Sequence, residues 1–137
     1  MAKKTWTEKL NSGAVREVKS APKDFADIKA GQRMLLTTAK DVADYVSHVP
    51  EGQEVDITSL RAGLAKEARA DIACPVVTGI CLRIVAEYAG EKLDAGIAPS
   101  NVPPVWRAMP ASAPIWKKIE NGKKQFLRLR RSEGLAV

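Results

Sequence analysis

The chain has 137 residues, which fits one domain and is long enough to bury a real core. Its 22 Lys and Arg outnumber 16 Asp and Glu, and the resulting charge of +6 predicts an anionic partner, with nucleic acid ahead of a membrane surface. No apolar run approaches membrane-spanning length and the "MAKKTWTEKL" start lacks a signal-peptide core, so a cytoplasmic protein without a membrane partner is expected.

In chain order, Lys3 to Leu10 predicts a short helix, with Thr5 as cap, Glu8 three residues on and Asn11-Ser12-Gly13 as its end. Val15 to Ile28 is mixed, and Pro22 forbids a continuous helix there. After Gly31, Arg33 to Thr37 reads as a short strand or buried extended segment. Thr38 caps a helix whose apolar face is Ala39, Val42, Tyr45, Val46 and Val49, closed by Pro50-Glu51-Gly52. On that helix Tyr45 belongs to the core and His48 to the surface.

Val55-Asp56-Ile57 reads as a short β-like run, and Thr58 opens a helix buried through Leu60, Leu64, Ala65 and Ala68. A polar break at Arg69-Ala70-Asp71 precedes a longer helix. Pro75 fits its first turn, and Val77, Ile80, Ile84, Val85, Tyr88 and Leu93 are its expected buried stripe. Two unequal helices joined by a short turn suit a helix-turn-helix. Arg83, with Thr78 nearby, is the residue of the second helix best suited to contact a nucleic-acid groove. Its bland alternative is an ion pair with Glu87 one turn on.

The stretch from Gly96 to Pro114 is a proline-rich loop in which Trp106 stands beside Arg107. A ring and a guanidinium on a rigid loop suit the wall of a base pocket, although a lone tryptophan also suits a core plug. Ile115 to Ile119 and Lys123 to Ser132 predict terminal helices, the last anchored by Phe126 and Leu129. Between Trp116 and Arg131 seven cations face one acid, whereas Lys40 to Leu60 holds five acids and one cation. Lys123, Lys124, Arg128 and Arg131 are the expected phosphate contacts. Cys74 and Cys81 read as buried thiols, and with a single histidine no metal site or cofactor is expected.

From Val42 to Gly134 the order of these segments resembles the C-terminal, DNA-binding domain of the alkylguanine DNA alkyltransferase family. Pro50-Glu51-Gly52 matches its Pro-x-Gly turn, and Val55 to Ala65 its β-like segment and small helix. Arg83 matches its intercalating arginine, Pro104-Val105-Trp106-Arg107 its Pro-Cys-His-Arg motif, and "GKKQFLRLRRSEG" its terminal helix. The acceptor cysteine falls on Val105 and its histidine on Trp106, so the resemblance implies no catalytic residue. It is closer to the alkyltransferase-like proteins, which bind damaged DNA without repairing it.

The expected fold is therefore mainly α with short β segments. A winged helix-turn-helix-like domain would occupy residues 38–137, with residues 1–37 as an N-terminal extension packed on it. The expected function is non-catalytic binding of double-stranded DNA, with sensing of alkylated or distorted DNA. The alternatives are a scaffold that has lost DNA binding and mediates protein association, for instance as a homodimer, or a surviving alkyl acceptor at Cys74 or Cys81.

Overall fold

Thr5 accepts a hydrogen bond from the Glu8 amide while Glu8 accepts one from the Thr5 amide, and this capping box opens α1 (Trp6–Leu10). In the computed structural model, which describes residues 3–137, the chain is mainly helical with one small three-stranded sheet. Strand β1 (Glu17–Ser20) pairs antiparallel with β2 (Arg33–Leu36), which sets Val18 opposite Leu35. Helices α2 (Ala39–Ser47) and α3 (Ile57–Glu67) then cross over to the two-residue β3 (Ile72–Ala73), which lies parallel to β2. A crossover of this length is what parallel pairing requires.

Thr38 caps α2 as expected, accepting from the Asp41 amide at 3.1 Å. The β-like run at Val55-Asp56-Ile57 does not form. Asp56 instead accepts from the Ser59 amide at 2.8 Å and caps α3, so the helix opens at Ile57 rather than Thr58. Two strands lie where no strand was expected: β1 in the mixed stretch after Val15, and β3 directly after the polar break. The expected helix at Ile115–Ile119 is a single 3-10 turn, Pro114–Lys117, and similar turns occupy Pro99–Asn101 and Val105–Ala108 of the proline-rich loop.

No seam divides the chain at residue 37. The N-terminal segment supplies β2, the central strand of the sheet, and Leu35 enters the main core beside Val42, Val46, Leu60 and Phe126. Arg61 of α3 adds a second tie, meeting Asp27 through two 2.9 Å bonds and the Ala73 carbonyl at 2.7 Å.

Helix α4 (Pro75–Asp94) is the axis of the molecule, about 30 Å long. Its buried residues include Thr78, Cys81, Leu82, Val85, Ala86, Ala89 and Leu93. This face is rotated from the expected stripe. Ile80 is 56% exposed and Val76 62%, whereas Val77, Ile84 and Tyr88 are half-buried at its edges. Helix α5 (Lys123–Ser132) closes the fold, with Phe126 fully buried and Leu129 half-buried. Among the described residues no helix is long and apolar enough to cross a membrane.

The crossing of α4 with the turn before α5 has no room for side chains. A Cβ on Gly90 would lie 2.1 Å from the Asn121 carbonyl oxygen, and one on Gly122, itself at φ +77°, 2.3 Å from the Gly90 Cα. Gly90→Ala should therefore destabilise the protein by roughly 1–3 kcal/mol in urea unfolding. An unconstrained helix glycine would instead gain about 0.5–1 kcal/mol. A rise in the unfolding midpoint would contradict this close approach.

Candidate nucleic-acid interface

The loop that carries Trp106 and Arg107 is fastened by one carboxylate. Glu133, just beyond α5, accepts from the Trp106 indole N–H at 2.8 Å, from Arg107 Nε at 2.9 Å and from the Gly52 amide at 2.9 Å. Arg107 also donates to the Val49 carbonyl at 2.9 Å. Three sequence-distant segments thus meet at a side chain only 4% exposed. These are the Pro50-Glu51-Gly52 turn, the Pro104–Arg107 motif and the terminal Glu133-Gly134.

Burial works against the charged form of Glu133. The bonds from Arg107, Gly52 and Trp106 outweigh it and hold the carboxyl below its ordinary value. Trp106 itself is 3% exposed and stacks on Phe126 with ring centroids 6.4 Å apart. The expected base-pocket wall is therefore a core plug, and Arg107 is its ion-paired neighbour. Neither presents a free stacking face to a base.

Thr78 also moves inward. It is fully buried and its hydroxyl donates to the Cys74 carbonyl at 2.7 Å, so it has no surface to offer a groove. Both cysteines are buried, as expected. Burial first, and the Asp41 charge second, push the Cys81 thiol up to about 11, far from the thiolate that an alkyl acceptor needs.

Arg83 remains partly exposed but is already engaged. Its guanidinium lies 3.3 Å from Glu87, 3.5 Å from Glu120 and 5.5 Å from the centre of the Trp6 ring. The alternative Arg83–Glu87 pair is present, and it is no surface pair, because Glu87 is fully buried. The amides of Glu120 and Asn121 donate to Glu87 at 3.1 and 2.9 Å, the Asn121 side chain does so at 3.2 Å, and the Gly122 amide donates to Asp94 at 2.8 Å. The carboxylates of α4 thus fix the turn from which α5 starts.

On α5 the expected cations do reach solvent. Lys123, Lys124, Arg128 and Arg131 are all exposed. At 100° per residue Lys124, Arg128 and Arg131 fall within about 60° of one another around the helix. Lys117 and Lys118 extend the exposed cationic surface, with Glu120 as the exposed acid among them.

Arg130, on the opposite side of α5, is fully buried and donates to the Trp106 and Ala136 carbonyls and to Glu54. Arg130 and Glu133 are structural groups that were not expected from the sequence. The i,i+4 phase of Phe126 and Arg130 was the available signal for the first; nothing local marks the second. No family profile, curated protein or solved structure matches this chain.

Because the Glu133 carboxyl is held below its ordinary value of 4.5, its contribution to stability is complete above that pH and is lost as pH falls through the depressed folded value. Glu133→Gln should cost about 3 kcal/mol at pH 7, by leaving Arg107 without its counter-charge. It should also flatten the acid limb of a stability–pH profile below about pH 4.5. An unchanged profile would contradict the role given to this carboxylate.

Proposed function

We propose that this protein is a non-catalytic, winged helix-turn-helix-like module that binds the backbone of double-stranded DNA. The observation that carries the reading is the exposed stripe of Lys124, Arg128 and Arg131, with the exposed Lys123 at the start of the same helix, whose other side is anchored by Phe126 and Arg130. Supporting it, the turn, the Pro104–Arg107 motif and the terminal Glu-Gly that resemble the alkyltransferase DNA-binding domain meet at Glu133.

The reading omits a base pocket. Trp106 is committed to the core, so plain and alkylated duplexes are expected to bind alike, through phosphate contacts that position without specifying sequence. Lesion sensing has no support in the surroundings of Trp106.

A second reading is association between copies of the chain. Exposed Asp44 and Glu51 lie on the turn side of α2, and the cations of α5 are their electrostatic complement. A salt-dissociable dimer in light scattering, without DNA binding, would replace the first reading with this one.

Fluorescence anisotropy with a labelled duplex tests the DNA reading. Four phosphate contacts predict a log–log slope of affinity on salt of about −3.6, and Lys124→Glu with Arg128→Glu should roughly halve it. An O-alkylated guanine should leave the affinity unchanged. No binding at low salt, or a marked preference for the alkylated duplex, would overturn this account.

A further inference from the structure

The exposed face of α4 is the floor of a concave groove of about 810 Å³, walled by α1 on one side and by the chain from Ala108 to Lys118 on the other. Ile57, Val76, Ile80, Ile84, Pro110 and Ile115 make its lining chiefly aliphatic. Ile57, Val76 and Ile80 are among the most exposed large apolar side chains of the molecule, so this groove accounts for much of its solvated aliphatic surface. Its size and lining are those of small-molecule sites, which pair apolar walls with a few polar groups that fix orientation.

The charged groups of the groove are Lys9, Arg83 and Lys118 against Asp56. Asp56 is occupied in capping α3, and Arg83 is paired with Glu87 and Glu120. Lys9 lies 4.2 Å from the centre of the Trp6 ring, and neither it nor Lys118 has a carboxylate partner among the described residues. Two cations at an aliphatic cleft call for an anion joined to an apolar body.

Gly79 adds an independent observation. It lines the groove in the interior of α4, where glycine costs roughly 0.5–1 kcal/mol of helix stability relative to alanine. Gly90 on the same helix is required by a close backbone crossing, but a Cβ on Gly79 would meet nothing within 4 Å. Packing gives no reason for the missing side chain, and its absence leaves the floor open.

We propose that this groove binds a small amphiphilic anion, an alkyl or aryl body carrying a carboxylate or sulfonate, with the body against Val76, Gly79 and Ile80 and the head group between Lys9 and Lys118. The site borders the cationic surface at Lys118 but contains none of the cations of α5, and it stands whether or not they bind DNA.

The test uses the full chain with anilinonaphthalene sulfonate as a fluorescent probe and decanoate and decanol as competitors. The probe should brighten with a saturable, single-site isotherm, and decanoate should displace it at lower concentration than decanol. Gly79→Leu places an aliphatic side chain where the ligand body would lie while improving helix propensity. It should weaken probe binding at least about ten-fold without lowering the unfolding midpoint. Lys118→Glu should weaken decanoate by about three- to ten-fold and leave decanol unchanged. Unaltered probe binding in Gly79→Leu would overturn the site, and equal competition by decanol would overturn the anion. A decanoate effect on DNA anisotropy that Gly79→Leu leaves intact would assign the anion to α5 instead.

Discussion

The carboxylate of Glu133 is the point on which the C-terminal half of this fold closes. It collects an indole N–H, a guanidinium and a backbone amide from segments that lie 27, 26 and 81 residues away along the chain. A carboxylate accepting bonds from a charged donor and two neutral ones is strong in a place shielded from water, and it is costly to leave half-satisfied. Because Trp106 donates into this group and stacks on Phe126, its orientation is determined from two sides. The side chain best suited to receive a base is thereby turned into architecture.

Two carboxylates, the buried Glu87 and the exposed Asp94, serve the same purpose at the other end of α5. Glu87 and Asp94 accept the three successive amides of Glu120, Asn121 and Gly122, and Gly90 admits that turn at backbone contact. Arg130 completes the seating from within by donating to the Trp106 and Ala136 carbonyls. With its inner face held this way, α5 projects its remaining cations outward as a group. Glu87 of α4 is turned inward, and its charge is spent on the Glu120 and Asn121 amides and on Arg83.

Much of the architecture is legible in the sequence because it rests on local chemistry. The Thr5–Glu8 capping box, the Thr38 cap, Pro75 in the first turn of α4 and the Phe126–Leu129 anchor each show themselves within a few residues. What escaped is set by distant partners. Strand β3 is two residues long and exists only because β2 lies beside it. Asp56 reads as part of an extended run until its side chain is seen to cap α3. The phase of α4 is hidden in the sequence because both of its faces carry aliphatic residues, so periodicity alone does not separate the buried Val85 from the exposed Ile80. Of the candidate contact residues, the cations of α5 lie at the surface. Trp106 and Arg107 are drawn inward by distant partners no local pattern announces, and Thr78 lies on the buried face of α4 because of that helix's phase.

The central claim is that the polar surface of α5 meets the ligand while Trp106 stays in the core. Amide and indole chemical shifts recorded during titration with a short duplex test it most directly. The account predicts progressive shifts at Lys123, Lys124, Arg128 and Arg131, with the Trp106 indole N–H unmoved and still protected from solvent exchange. A Trp106 indole that shifts first, or loses its protection on adding DNA, would contradict it and return that ring to the binding site.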